Sequence, residues 1–358
     1  MDIGIVGLPN VGKSTLFNAL TKAGAEVANY PFCTINPQVG VVAIPDKRLK
    51  QLGELLKPEK LTPTTIEFID IAGLVKGASQ GEGLGNQFLG HIREVDAICH
   101  VVRFFQSPNV VHVDGKLDPL SDVEIIEAEL ALADLETVEK RKEKTAKSLK
   151  TGRPEYKEEM AQLDELTEIL GSGKRPPLTP LTKELQLLTT KPCIYIANMD
   201  EDQIQDPDLV PEYRDFVEYV GQSGNEVIPI SADLEMGLLE LAEDERAEYF
   251  EALGITYISG LEKLIAKSYA LLDLITFYTV KGPETRAWTL KSGTKAPQAA
   301  GKIHTDMEEG FIKAEVINFN RLVDAGSFTL AKDKGEVRVE GKDYSVQDGD
   351  VVLFRFKV

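Results

Sequence analysis

Residues 7–14 read Gly7-Leu8-Pro9-Asn10-Val11-Gly12-Lys13-Ser14, a G-x-x-x-x-G-K-[ST] pattern between an apolar run at 2–6 and a helical pattern at 14–22. A strand, a glycine loop and a helix start in that order form a phosphate cradle. The glycines let backbone N–H groups close around an anion, and the helix N-terminus adds partial positive charge. Lys13 is expected to reach the β- and γ-phosphates of a nucleotide, and the Ser14 hydroxyl to bind Mg²⁺. Asn10, Val11, Gly12 and Thr15 complete the predicted phosphate contacts, and Asn10 is also a candidate for holding K⁺ beside them.

Working outward, further strands are expected at 39–44, 65–71, 97–102, 193–197 and 226–230, with helical patterns between several of them, such as 87–94. Short apolar runs alternating with helices predict an α/β fold, a doubly wound and mostly parallel sheet of the P-loop NTPase kind. Such sheets bind ligands at the carboxyl ends of their strands. Asp70-Ile71-Ala72-Gly73 falls at one of those ends, so Asp70 is expected to hold Mg²⁺ through water and the Gly73 N–H to sense the γ-phosphate. Thr34 is the candidate for a second Mg²⁺ ligand, with a plain loop threonine as the alternative. Gly73, Gly77, Gly81, Gly83 and Gly85 suit a segment ordered by the γ-phosphate.

The stretch after the 193–197 strand is Asn198-Met199-Asp200-Glu201, where a guanine-reading protein carries N-K-x-D. The lysine is replaced by methionine and the terminal acid is a methylene longer. Discrimination for guanine should therefore erode, unless Asp200 reads the base in a shifted register. Ser231-Ala232 is expected to complete the base-side wall. After Asp70–Gly73 stands Leu74, which cannot align a water, so that role falls elsewhere or turnover is slow. His112 is one candidate among His91, His100, His112 and His304.

Between the strands at 97–102 and 193–197 the pattern becomes helical. Ser121–Glu124 has the form of a capping box, and Val123, Ile126, Leu130 and Ala133 follow at helical spacing. After a break at 151–154, Tyr156, Met160, Leu163, Leu166 and Leu170 share one face, so an inserted antiparallel coiled-coil hairpin is expected. Its tip carries Lys140, Arg141, Lys142, Lys144, Lys147, Lys150 and Arg153, either a solvated face or a prong for nucleic-acid phosphate. From about 275 onward, strands at 275–280, 285–290, 336–339 and 350–356, with a helix-like stretch at 308–312, predict a small α+β domain.

The chain has 358 residues, 58 acidic against 40 basic, and a net charge of −18. Such a total counts against a surface that coats nucleic acid throughout. The acidity is regional: residues 199–251 hold 17 acids against Arg214 and Arg246 alone. Cys33, Cys99 and Cys193 are too scattered for a disulfide framework or a CxxC metal site. No apolar run approaches the roughly 18–20 residues of a membrane span, and a reducing cytoplasm is the expected location.

Taken together, Gly7–Thr15, Asn29–Thr34, Asp70–Gly77 and Asn198–Glu201 resemble the YchF (Obg-like ATPase) family of translation-factor-related P-loop proteins over essentially the whole chain. The resemblance implies a nucleotide domain at 1–119 and 190–274, the helical insertion at 120–189, and a TGS-like domain of β-grasp shape at 275–358. It implies Mg²⁺-dependent ATP hydrolysis with relaxed or reversed base preference, ribosome binding, and a regulatory role in translation and stress. It also implies that His112 positions the attacking water and that the Met199 backbone contacts the base. Docking on ribosomal RNA and proteins through the hairpin and the C-terminal domain is expected, with no membrane or DNA partner. A nucleotide-bound scaffold with negligible turnover and a conventional GTPase are the alternatives.

Overall fold

A computed structural model describes residues 1–23, 38–71, 84–106, 117–150, 152–242, 245–246, 248, 259–280 and 282–357. Two compact units result, Met1–Gly40 with Glu67–Leu264, and Val41–Ile66 with Ile265–Val358.

The first unit is built on parallel strands β1 (Asp2–Val6), β4 (Thr65–Asp70), β5 (Ala97–Arg103), β6 (Cys193–Asn198) and β7 (Glu226–Ile230). Their order is β4-β1-β5-β6-β7. Strands β5 and β6 are buried at every residue, as expected of a parallel sheet covered on both faces. Helix α1 (Lys13–Ala23) buries Leu16, Phe17, Ala19 and Leu20. Because β1 lies between β4 and β5, the order reverses there, and the carboxyl ends of the five parallel strands lie along one edge of the sheet.

Helices α4 (Pro119–Leu149) and α5 (Pro154–Gly171) form the antiparallel hairpin. The start differs from the Ser121–Glu124 expectation. Asp118 is the N-cap, its carboxylate accepts from the Ser121 N–H at 3.1 Å, and Pro119 opens the helix. Proline suits that position because its missing N–H would have gone unbonded anyway. Ala131, Val138, Leu163, Leu166 and Leu170 pack between the helices with Leu181 and Leu187, while Tyr156 and Met160 are only half-buried. Asp134 of α4 is buried and accepts from the Leu188 and Thr189 N–H groups, each at 2.8 Å, and from the Thr189 hydroxyl at 2.7 Å. Helix α4 is thereby tied to the segment that leads into β6.

In the second unit, β8 (Leu274–Thr279), β9 (Glu284–Lys291), β10 (Phe311–Asn318), β11 (Arg338–Glu340) and β12 (Asp350–Phe356) join β3 (Lys60–Thr62) in the order β11-β10-β12-β8-β9-β3. β12 runs parallel to β8 at the centre, and the hairpin β8–β9 is antiparallel, in the manner of a β-grasp sheet. The helix-like reading of 308–312 is corrected here. Helix Thr305–Glu309 ends at Gly310, and β10 begins at Phe311, which is buried with Ala314 and Val316. The earlier segment 41–66 also belongs to this unit. Leu49 and Leu52 of α2 (Lys47–Leu56) pack with Tyr278, Ile317 and Leu322, and Arg48 Nη1 donates to Asp348 Oδ2 at 2.6 Å.

Candidate nucleotide-binding site

The loop after β1 has the geometry its glycines predict. Gly12 has φ +90°, and a Cβ there would stand 2.1 Å from Asn198 Nδ2. Lys13 is buried, and its Nζ donates to the Gly7 and Leu8 carbonyls, each at 2.9 Å. Burial lowers the Lys13 pKa, opposed by the nearby Asp70 carboxylate. Ser14 is exposed at the first turn of α1, Asn10 is exposed with φ 63°, Thr15 is half-buried and Val11 is buried.

Asp70 ends β4, and burial raises its pKa against the field of Lys13. Among the described residues its buried Oδ1 has no hydrogen-bond donor. Such an oxygen is costly unless a ligand satisfies it.

Asn198 is buried, and both ends of its amide are engaged. Nδ2 donates to the Val11 carbonyl at 3.0 Å, and Oδ1 accepts from the Ala232 N–H at 3.0 Å. It therefore clamps the phosphate loop to the turn after β7. Met199 is buried and its N–H donates to the Ile230 carbonyl at 2.8 Å. Ser231 caps helix Ala232–Leu238, accepting from the Leu234 N–H. The acids differ in commitment. Asp200 caps helix Glu201–Gln205, and its Oδ2 accepts from the Gln106 N–H at 3.0 Å. Glu201 is exposed at the first position of that helix.

The structure thus brings together the loop 7–15, Asp70, Asn198–Glu201 and Ser231–Ala232. Thr34, Gly73, Leu74 and His112 lie outside the described residues. His100 is buried in β5 beside Tyr195, and burial, aided by the fields of Arg175 and Lys13, lowers its pKa to about 3. It stays neutral. His91 is exposed on a helix, and His304 caps helix Thr305–Glu309 by accepting from the Asp306 N–H.

Sequence reasoning missed Arg103 and Phe105. Arg103 is buried at the end of β5, its Nε donates to the Phe105 carbonyl at 3.1 Å, and its guanidinium lies 4.5 Å from the Phe105 ring centre. The Phe105 ring comes within 3.7 Å of where a Gly12 Cβ would be. The signal was one arginine in the run 97–105, which is otherwise apolar apart from His100.

On the hairpin, several of the basic residues are paired. Lys140 bridges Glu136, Arg141 bridges Glu159 and Glu184, Lys142 bridges Asp164 at 2.9 Å, and Arg153 bridges Glu155. Lys144, Lys147 and Lys150 are exposed.

A parallel sheet with a phosphate loop after β1, an aspartate ending β4 and an asparagine clamp after β6 defines a P-loop nucleoside triphosphatase of the doubly wound class. The family model for a 50S ribosome-binding GTPase matches residues 2–150, and the C-terminal YchF model, described as a protein of unknown function, matches 274–357. The "Ribosome-binding ATPase YchF" of Bacillus subtilis is 52% identical, with 100% of both chains covered. Its namesake from Escherichia coli O157:H7 is 50% identical over 99% of both. The solved structure titled as the Schizosaccharomyces pombe YchF GTPase matches with a TM-score of 0.88 and 37% identity, covering 99% of this chain and 97% of that one. The chain belongs to the YchF family.

Proposed function

We propose that the chain is a ribosome-binding ATPase that acts in the cytoplasm as a regulatory factor in translation and stress response. The relatives' curated name supports the ribosome and the ATPase activity. The observation that carries the base preference is the commitment of Asp200 to the Gln106 N–H, with Glu201 turned to solvent. Neither acid stands as the buried bidentate acceptor that guanine selection needs. Titration with non-hydrolysable ATP and GTP analogues tests this. The ATP analogue should bind more tightly, and tenfold tighter GTP binding would sink the reading.

Mg²⁺ fits the donors present, since Asp70 offers a buried oxygen without a protein donor and Ser14 an exposed hydroxyl at the helix start. These two, with Thr34, would hold the ion. When bound, it would supply positive charge that offsets the charge of the phosphates. Lys13 would leave the Gly7 and Leu8 carbonyls to meet the γ-phosphate, and the backbone of Asn10, Val11, Gly12, Ser14 and Thr15 would wrap the phosphates. Gly73 would sense the terminal phosphate. Asn198, Met199, Glu201, Ser231 and Ala232 would form the base side. K⁺ beside Asn10 would add positive charge to the same cradle.

His112 is proposed to orient the attacking water, because Leu74 cannot. Single-turnover ATP hydrolysis by His112→Ala should be slower by about 10²-fold or more. Equal rates would remove His112 from the mechanism, and no turnover in either protein would favour the scaffold reading.

Docking is assigned to the insertion 120–189 and the C-terminal 275–358. Since Lys142 is held by Asp164, the residues open to rRNA phosphate are Lys144, Lys147 and Lys150. Changing all three to glutamine should weaken ribosome co-sedimentation and flatten its salt dependence by roughly one unit of slope per lost contact. Unchanged binding at every salt concentration would leave them as a solvated face.

A further inference from the structure

We propose that Arg103 is the positioning residue that keys the base-side segment of the nucleotide site to the root of the helical hairpin. This rests on the nucleotide-site reading above. Arg103 lies opposite Asn198 in the β5–β6 register and is only 4% exposed. From there one side chain fixes two features of the following loop. Its Nε donates to the Phe105 carbonyl, and its guanidinium plane carries the Phe105 ring, which stands against Gly12.

The same loop is stitched to the segment after β6 from both sides. The Phe104 and Phe105 N–H groups donate to the Asn198 carbonyl at 2.8 and 3.1 Å. The Gln106 N–H donates to Asp200, and Gln203 Nε2 donates to the Phe104 carbonyl at 3.3 Å. Displacing Phe105 would therefore disturb Asn198, Asp200 and the wall of the phosphate loop together.

The hairpin enters through charge. A buried guanidinium needs a counter-charge, since desolvation lowers its pKa. The carboxylates whose fields oppose that are Asp122 and Asp200. Asp122 sits in the first turn of α4, is 2% exposed, and α4 packs on β5. A buried guanidinium in the fields of one acid on the hairpin root and another on the base-side segment couples the two energetically. By reciprocity, a partner that shifts the hairpin root must alter nucleotide affinity, and nucleotide must alter the partner's affinity.

Lysine at position 103 keeps the charge but lacks the planar fork that holds both the carbonyl and the ring. The test is steady-state ATP hydrolysis by the full chain, for wild type, Arg103→Lys, Asp122→Asn and the double variant. Thermal melting reports the folded fraction. Arg103→Lys should raise KM for ATP about tenfold with kcat within about twofold. Asp122→Asn, a change on the hairpin, should raise KM in the same direction. The double variant should be no worse than Arg103→Lys alone, because both changes break one linkage. A loss confined to folded protein would lower apparent kcat at constant KM, and that result overturns the proposal. So does an unchanged KM in folded Asp122→Asn, which remains readable if Arg103→Lys fails to fold. If wild type neither binds nor hydrolyses ATP, it is the nucleotide-site reading that falls.

Discussion

Replacing Lys13 by alanine should lower single-turnover ATP hydrolysis by about 10²–10³-fold, the usual cost of deleting one preorganised electrostatic group. The structure gives the reason. The ammonium is buried against the loop, held by two backbone carbonyls and in the field of the Asp70 carboxylate. It is thus stored inside the cradle and has only to exchange those carbonyls for phosphate oxygens. Phosphoryl transfer depends almost wholly on positioning and charge, so no other residue in the loop can replace it. The measurement is rapid-quench hydrolysis with enzyme in excess. A rate within tenfold of wild type would show that Lys13 does not meet the transferring phosphate. Fold stability should change little, because alanine leaves two loop carbonyls that water can reach once the ammonium is gone.

Replacing Asn198 by alanine should cost about 2–4 kcal/mol of stability, the sum expected for two buried hydrogen bonds and the groups they leave unpaired. At about 2–4 °C per kcal/mol for a unit of this size, melting should fall by roughly 4–16 °C. Nucleotide affinity should fall as well, since the amide fixes Val11 in the phosphate loop and Ala232 in the base-side turn at once. Asn198→Asp separates the two contacts. It keeps an acceptor for the Ala232 N–H but sets a carboxylate oxygen against the Val11 carbonyl. A melt within 2 °C of wild type for Asn198→Ala would mean that the clamp contributes nothing. The clamp also explains Gly12, where a Cβ would meet the Asn198 amide at 2.1 Å.

The phosphate loop was legible because its chemistry is local: eight consecutive residues supply the turn, the N–H groups and the cation. The strands around it were legible for the same reason, as short apolar runs with helical spacing between them. The two helices of the hairpin and the break at 151–154 followed from spacing and turn residues alone. What the sequence determined by itself was therefore the phosphate chemistry, the sheet class and the inserted hairpin.

Tertiary structure decided how those parts are connected. The stretch 198–201 read as a base-reading motif, yet only the fold shows Asn198 spent on a clamp and Asp200 on the Gln106 N–H, a partner 94 residues away in sequence. The seven basic residues of the hairpin tip looked alike as a run. Antiparallel packing brings Asp164 and Glu159 beside two of them and leaves Lys144, Lys147 and Lys150 exposed. Segment 41–66 looked like part of the nucleotide domain. Its strand β3 instead joins the edge of the C-terminal sheet, and Leu49 and Leu52 enter that unit's core. In each case the deciding contact joins residues far apart in the chain. Sequence spacing carries a helix face or a phosphate loop, but it does not say which distant partner a buried polar group or an edge strand will find.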